Sequence, residues 1–245
     1  MRFLLLQLGL LILYFPNGVS ATEYTPPEIL SKDTIISSIQ KESYFMDDVE
    51  TLELIWGLTE YCGDDRELFI TVHQGPNRQI AKIYAKEKNG YRLLRSIEAL
   101  GLGSYFNKPN IFWYKVSPTD YLHLIQIKSV DSGTAHISTE YLFNVEMHNN
   151  DLVLEPVEFI PAPQSYAPKL NEKEGVWKGE ENNLAADELT FRFYIWKEGD
   201  YNCCPTAGYV TGNYELKEAR ITKDEKHWQL IAKSFERHAV DLGDR

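Results

Sequence analysis

The stretch of sequence that decides the fold class is Tyr121-Leu122-His123-Leu124-Ile125-Gln126-Ile127. Side chains alternate between the two faces of a strand, so Tyr121, His123, Ile125 and Ile127 share one face and the other three share the opposite one. Both faces are largely apolar. A strand of this kind is typical of a central position with packing on both sides. The stretch therefore predicts a sheet that is covered by two layers.

Short runs of the same character surround this strand in both directions. From Glu67 onward, β-branched and aromatic residues are interrupted by Asn, Asp, Gly, Ser and Pro, which are the residues of tight turns. We predict strands at 68–72, 79–87, 91–98, 111–117, 121–128, 135–148, 152–160, 175–179, 189–196, 209–216 and 228–235. The predicted fold is mainly β, with antiparallel meander sheets packed as a sandwich or a partly open barrel.

The residues between 22 and 63 have a helical or irregular pattern. Ser31 and Asp33 are favourable N-cap residues, and Ile35, Ile36 and Ile39 follow them at helical spacing. The apolar run at 49–58 fits a short helix and also fits a strand. We predict a short helical N-terminal segment ahead of the sheets.

The first 21 residues have the features of a signal peptide. Arg2 precedes an apolar run at 3–15, and Val19-Ser20-Ala21 has the small residues that a signal peptidase requires. The apolar run is too short to span a bilayer, which needs about 20 residues. We predict a signal peptide at 1–21, a secreted or periplasmic protein, and no membrane insertion after the signal is removed.

The charge balance bears on possible partners. The chain has 25 Lys and Arg residues against 36 Asp and Glu residues, which gives a formal net charge of −11. Nucleic acids and anionic lipids are bound mainly through Lys and Arg. We therefore expect neither nucleic acid nor an anionic membrane surface as a partner.

A proline-rich stretch divides the predicted strands into two groups. Residues 161–168 include Pro161, Pro163 and Pro168, and prolines at this density do not fit a central strand. We interpret the stretch as a connector between an N-terminal region at 22–160 and a C-terminal β subdomain at 169–245. The sequence leaves open whether these are one domain or two.

The three cysteines are Cys62, Cys203 and Cys204, and an exported protein would expose them to an oxidising compartment. Cys62 could bridge to Cys203 or Cys204, the two adjacent cysteines could bridge to each other, or all three could remain thiols. A bridge between neighbours would be strained and comparatively reducible. The sequence alone leaves these alternatives open.

The adjacent cysteines belong to a loop of unusual composition, Gly199-Asp200-Tyr201-Asn202-Cys203-Cys204-Pro205-Thr206-Ala207-Gly208. Together with Glu174-Gly175-Val176-Trp177-Lys178-Gly179-Glu180 and Phe193-Tyr194-Ile195-Trp196, this loop resembles segments of uncharacterised secreted bacterial proteins that carry a G-D-x-N-C-C-P-T-x-G loop. The resemblance covers roughly the last third of the chain. It implies a bacterial exported protein and brings no activity with it.

Signatures of common enzymes do not occur in the sequence. It has no G-x-S-x-G, no H-E-x-x-H and no P-loop, and its six histidines lack the close spacing of zinc ligands. Acidic pairs such as Asp64-Asp65 and Glu180-Glu181 are ordinary for solvated turns and edges. We predict no catalytic residue, no cofactor and no metal site.

The remaining candidates for a binding site are aromatic side chains on the predicted strands and residues of the cysteine loop. Aromatic rows that face solvent can stack on sugars or receive a protein partner. The binding candidates are Trp113, Tyr114, Trp196, Asp200 and Tyr201.

These candidates favour a non-catalytic binding or interaction module of the bacterial envelope or exterior, with a protein or a glycan as its ligand. The alternatives are a secreted hydrolase that acts on glycans with unidentified carboxylates, and a redox-responsive protein that uses a vicinal cysteine pair. A deep cleft lined by carboxyl groups with raised pKa values would favour the hydrolase.

Overall fold

The computed structural model describes residues 29–39, 53–62, 66–75, 78–100, 104–131, 138–176, 180–201, 204–220 and 226–239. The predicted signal peptide at 1–21 lies outside the described residues, and so does Cys203.

A five-stranded antiparallel sheet forms the first part of the fold. It has the strand order β1-β5-β4-β3-β2, and helix α1 precedes its second strand in the chain. The backbone N–H of Thr34 donates to the Ser31 hydroxyl at 3.1 Å, so Ser31 caps the first turn of α1. These elements are β1 (Ile29–Leu30), α1 (Lys32–Ile39), β2 (Glu53–Tyr61), β3 (Glu67–Gln74), β4 (Arg78–Glu87) and β5 (Gly90–Leu100).

The rest of the described chain forms a ten-stranded sheet, a two-stranded sheet and a short helix. The strands are β6 (Ser104–Phe106), β7 (Asn110–Lys115), β8 (Tyr121–Asp131), β9 (Ser138–His148), β10 (Asp151–Phe159), β11 (Glu174–Gly175), β12 (Glu180–Leu184), β13 (Leu189–Tyr194), β14 (Trp196–Lys197), β15 (Tyr209–Arg220), β16 (Lys226–Ala232) and β17 (Glu236–His238). Helix α2 (Ala162–Tyr166) follows β10 and continues into a 3-10 turn at Ala167–Lys169.

The large sheet has the order β12-β13-β15-β16-β10-β9-β8-β6, with β7 paired to β8 and β17 paired to β15. Its pairs are antiparallel except for β10 with β16, which run parallel. The sheets curl into half-barrels, and the predicted mainly β, antiparallel architecture is confirmed.

Strand β8 lies between two hydrophobic cores, as its two apolar faces predict. Leu122 and Leu124 belong to the core enclosed by the curled large sheet, whereas Ile125 and Ile127 belong to the core shared with the five-stranded sheet. A third cluster around Ile35 joins α1 to the opposite face of the five-stranded sheet.

The structure differs from the sequence prediction at several short strands. Residues from 53 onward in the ambiguous run at 49–58 form a strand, whereas the sequence pattern fitted both a helix and a strand. Strands β6, β12 and β17 were not predicted, because they are short or polar and gain stability from their neighbours in the sheet. The predicted strand at 175–179 overlaps only β11, and 177–179 lie outside the described residues.

The proline-rich connector packs against the core of the large sheet. Ala162 and Tyr166 of α2 are buried in that core, and the backbone N–H of Ile160 donates to the carbonyl oxygen of Leu230 at 3.0 Å. Strands from both sides of the connector belong to the same ten-stranded sheet.

Candidate functional site

An open groove of about 700 Å³ lies over β12, β13 and β15, on the face opposite the buried side chains of these strands. The segment 234–236 forms one of its walls. We refer to this feature as the C-terminal groove. Its lining is mostly polar and comes from strands that the sheet order places side by side.

A row of charged and hydroxyl residues crosses the groove. Glu181 on β12 is opposite Arg192 on β13, Arg192 is opposite Thr211 on β15, and Thr211 is opposite Glu236 on β17. Four strands that are neighbours in the sheet therefore contribute one side chain each to the same row. Directly opposed residues on neighbouring strands lie close enough to act on one ligand together.

A second row consists of amides and hydroxyls. Asn183 is opposite Thr190, which is opposite Asn213, and the side-chain amide of Asn213 donates to the Ser234 hydroxyl at 3.1 Å. Glu188 accepts hydrogen bonds from Asn183 at 3.1 Å and from Thr190 at 3.2 Å. These bonds hold the second row in a defined arrangement.

An aromatic row continues the same face beyond the charged row. Tyr194 is opposite Tyr209, with ring centroids 6.1 Å apart, and Tyr209 stacks on His238 at 4.7 Å. The guanidinium group of Arg192 lies 5.0 Å from the centroid of the Tyr209 ring. The Thr211 hydroxyl and the Nε2 atom of His238 are 2.8 Å apart, which links the charged row to the aromatic row.

Two glycines, Gly212 on β15 and Gly208 directly before this strand, allow the C-terminal segment to lie close enough to form the wall of the groove. A Cβ atom at Gly212 would overlap the carbonyl oxygen of Ser234, and a Cβ atom at Gly208 would overlap the carbonyl oxygen of His238. Gly208 also has a φ of +107°, a region that disfavours residues with a side chain. Both positions therefore require glycine for the observed packing.

Among the described residues, the carboxyl groups with raised pKa values lie outside the lining of the groove. Burial raises the pKa of Glu180, and the charge of nearby Glu140 raises it further. The Oε1 atom of Glu180 accepts hydrogen bonds from the Tyr214 hydroxyl and from the backbone N–H of Ala162. Burial also raises the pKa of Glu60, which lies on β2.

The structure does not bring the sequence-predicted binding residues together in this groove. Trp113 and Tyr201 are 50% and 82% exposed, whereas Trp196 is only 4% exposed and belongs to the interior. Tyr114 packs against the core of the large sheet, and burial and the charge of Glu215 raise its pKa. None of these side chains lines the groove.

Asp200 organises its own loop. One carboxylate oxygen accepts hydrogen bonds from the backbone N–H groups of Lys197 at 2.7 Å and Thr206 at 2.9 Å. The other accepts a hydrogen bond from the Thr206 hydroxyl at 2.7 Å. These bonds, that of Lys197 foremost, lower the pKa of Asp200. The two oxygens are thus used inside the loop, which is a structural role.

Trp113 lies above a buried histidine. Its ring stacks on that of His123 with centroids 4.2 Å apart, and His123 is 3% exposed. The Nε2 atom of His123 is 3.5 Å from a carboxylate oxygen of Glu60. Burial lowers the pKa of His123, so the ring is neutral at pH 7. No group of three or more His, Cys, Asp or Glu residues in the described part of the chain is arranged to hold a metal ion.

Cys62 is a free, half-buried thiol at the end of β2. Burial, assisted by the charge of Glu60, raises its pKa to about 11. The structure therefore gives no support to the expected alternative of a long-range bridge from Cys62.

No protein family can be assigned. No family model matches the chain, and no curated protein and no solved structure shows significant similarity to it. Among the described helices, none has the length and apolar character needed to cross a membrane.

The C-terminal groove was not predicted from the sequence. In the sequence, the groove appears only as polar residues at every second position of its strands, such as 181 and 183 or 211 and 213. This pattern is ordinary for the solvent face of a strand. Only the strand order places Glu181, Arg192, Thr211 and Glu236 in one line. The four residues are far apart in the sequence, so the row cannot be recognised without the structure.

Proposed function

We propose that this protein is a non-catalytic binding module and that the C-terminal groove binds a hydroxyl-rich ligand, namely a glycan. The observation that carries this proposal is the order of the rows, with amides and hydroxyls, then charged groups, then aromatic rings. Sugar rings present many hydroxyl groups at their edges and apolar C–H groups on their faces. The rows offer partners for both kinds of surface.

The polar rows supply the hydrogen bonds. Asn side chains both donate and accept, carboxylates accept, and hydroxyls do either, so the rows through Asn183 and Thr211 match the mixed character of sugar hydroxyls. The bonds from Asn183 and Thr190 to Glu188 orient these groups before a ligand arrives. An oriented site loses less entropy on binding.

The aromatic row, which borders the groove two positions beyond Arg192 and Thr211 on the same face of the sheet, supplies the stacking surface. Tyr194 and Tyr209 are each partly exposed, and Arg192 lies against the Tyr209 ring. An aromatic ring next to hydrogen-bonding groups is a suitable contact for the apolar face of a sugar. Arg192 connects the two kinds of surface, because it stacks on Tyr209 and projects into the groove.

The position of the acidic groups favours binding over hydrolysis. Glycoside hydrolysis requires two carboxyl groups across the scissile bond, one of them protonated at the working pH. The glutamates with raised pKa values, Glu60 and Glu180, do not line the groove. A hydrolase at this site would need a different acid, so binding is the better-supported function.

Export and cysteine oxidation are part of the same proposal. The signal pattern at 1–21 and the resemblance of the loop at 199–208 to exported bacterial proteins support a location in the periplasm or outside the cell. Because Cys62 is a free thiol with a raised pKa, we propose that oxidation in that compartment joins Cys203 to Cys204 and stiffens the loop.

Binding to an oligosaccharide array, followed by calorimetry with the best ligand, tests the proposed function. The variant Arg192→Ala removes the contact that joins two rows, and we expect it to weaken the binding of a neutral oligosaccharide about tenfold. Arg95→Ala is a matched control, because Arg95 also lies on a strand over an aromatic ring, that of Phe143, and is outside the groove. The proposal fails if no oligosaccharide binds, or if both variants weaken binding equally.

A further inference from the structure

The charges in the C-terminal groove define its ligand more narrowly. We infer that the groove selects oligosaccharides that carry free ammonium groups, that is, oligomers of amino sugars without N-acetyl groups. This inference rests on the proposed glycan-binding function and adds the class of sugar.

The groove contains more negative than positive charge. Its lining includes Glu181, Glu188 and Glu236 against a single basic residue, Arg192. Arg192 lies over the Tyr209 ring, and no ion pair links it to a carboxylate of the described residues. The residues that line the groove therefore do not neutralise its excess negative charge.

The three glutamates are not equivalent. Glu188 receives hydrogen bonds from Asn183 and Thr190 and belongs to the framework of the amide row. Glu181 and Glu236, by contrast, form no ion pair or side-chain hydrogen bond with another described residue, and both are exposed. These two carboxylates are available to a ligand.

A charged ligand group compensates these carboxylates better than a hydroxyl does. A neutral sugar that covers a glutamate removes water from the carboxylate and replaces it with an uncharged hydrogen bond. An ammonium group supplies a charge-assisted hydrogen bond, which is roughly twice as strong as a neutral one. The groove therefore favours the amine over the hydroxyl or the N-acetyl group at the same position.

The positions of Glu181 and Glu236 imply an oligomer. They stand at the two ends of the charged row, with β13 and β15 between their strands. Three inter-strand steps of about 4.8 Å separate the two backbone positions by about 14 Å. An oligomer reaches both carboxylates, whereas a single sugar ring reaches one.

Calorimetry with two oligomers of equal length tests this inference. The probes are a hexamer of glucosamine and a hexamer of N-acetylglucosamine, each titrated into the full mature chain at pH 6. The variants are Glu181→Gln and Glu236→Gln, which keep size and hydrogen bonding but remove the charge. Glu172→Gln is the control, because Glu172 is an exposed glutamate in a turn outside the groove.

We expect the glucosamine hexamer to bind more tightly than the N-acetylated one, and each groove variant to weaken it about fivefold to tenfold. Equal affinity for the two hexamers, with no effect of either groove variant, overturns the inference but leaves the glycan-binding proposal standing. A loss in Glu172→Gln as large as that in the groove variants also overturns the inference, because it shows general attraction to an acidic protein. If neither hexamer nor any other oligosaccharide of the array binds, the proposed function itself fails.

Discussion

The guanidinium group of Arg237 forms a two-bond ion pair with the carboxylate of Glu174. Its Nη2 and Nη1 atoms donate to the two oxygens at 2.7 and 3.1 Å, and Nη2 also donates to the carbonyl oxygen of Ala207 at 3.0 Å. The Glu174 side chain is 5% exposed. Because Arg237 follows Glu236 on β17, this pair attaches the wall of the C-terminal groove to the chain after the connector.

The Glu174–Arg237 ion pair makes the free energy of unfolding depend on pH. The hydrogen bonds from Arg237 lower the pKa of Glu174 from 4.5 to about 2. A carboxyl group whose pKa is lowered in the folded state contributes its full stabilisation at pH values above its pKa in the unfolded chain. For Glu174 this contribution is lost as the pH falls from about 4.5 toward 2. We expect Glu174→Gln to reduce the free energy of unfolding at pH 7 by about 2 kcal/mol, as measured by urea denaturation.

The pH dependence distinguishes this cause from a packing defect. The difference between the native protein and Glu174→Gln should shrink steadily between pH 4.5 and pH 2.5. A difference that stays constant over this range would show that the ion pair is not its source. Glu172→Gln, two residues away and exposed, should change the stability by less than about 0.5 kcal/mol.

Glu180 should have the opposite pH dependence. Burial raises its pKa, so its ionised form destabilises the folded state, and stability falls as the pH rises above the unfolded value of 4.5. In Glu180→Gln the Oε1 atom still accepts from Tyr214 and Ala162, while the charge is removed. We expect the stability of this variant, relative to the native protein, to rise between pH 4.5 and pH 7.

The measurement is thermal or urea unfolding of both proteins at several pH values between 4.5 and 7. If the stability of Glu180→Gln relative to the native protein does not rise with pH, the ionised carboxylate does not destabilise the folded state as described. The contrast with Glu174→Gln is the internal control, since the two glutamates shift in opposite directions.

A methyl group at Gly212 should displace the wall of the groove. The new Cβ atom would overlap the carbonyl oxygen of Ser234 and contact the ring of Phe191, so the segment at 234–236 must move. We expect Gly212→Ala to cost about 2 kcal/mol of stability and to weaken glycan binding.

Gly57→Ala is the matched control for this variant. Gly57 is also a strand glycine, but the nearest atoms to its added Cβ would be at 3.8 Å, which is ordinary contact. It should change stability by less than about 1 kcal/mol and leave binding intact. Equal losses for the two variants would mean that the close approach of Ser234 is unimportant.

The Cys62 thiol should react slowly in the folded protein. Its pKa of about 11 leaves very little thiolate at pH 8, so alkylation by iodoacetamide should be roughly 100-fold slower than in the unfolded chain. Glu60→Gln, which removes the neighbouring charge, should accelerate the reaction. Peptide mapping by mass spectrometry measures these rates.

The same mapping without reductant tests the proposed bridge. One alkylated cysteine, Cys62, in the unfolded and unreduced protein is expected if Cys203 and Cys204 are joined. Alkylation of all three cysteines, or protection of Cys62 in every molecule, would contradict the bridge between neighbours.

Much of the fold could be predicted from local pattern. The two apolar faces at 121–127 predicted a strand between two cores, and Leu124 and Ile125 lie in those separate cores. Asn149 and Asn150 lie between the predicted strands at 135–148 and 152–160, and both have the positive φ that a tight hairpin turn requires. These features depend on neighbours a few residues apart, so sequence reveals them.

The candidate site was not predictable in the same way. Trp196 and Asp200 were binding candidates in the sequence. In the structure, Trp196 is buried, and the Asp200 carboxylate forms hydrogen bonds within its own loop. Exposure of an aromatic ring or a carboxylate depends on what the rest of the chain places against it. Trp113 and Tyr201, the exposed candidates, lie apart from the groove.

The mainly β class, most strands and the acidic charge follow from the sequence, because alternation, turn residues and composition are local properties. The tertiary structure alone decided that β12, β13, β15 and β17 are neighbours, and with this order the row from Glu181 to Glu236. Strand order is set by burial of the opposite, apolar face, so the polar residues of the groove are brought together by a core to which they do not belong.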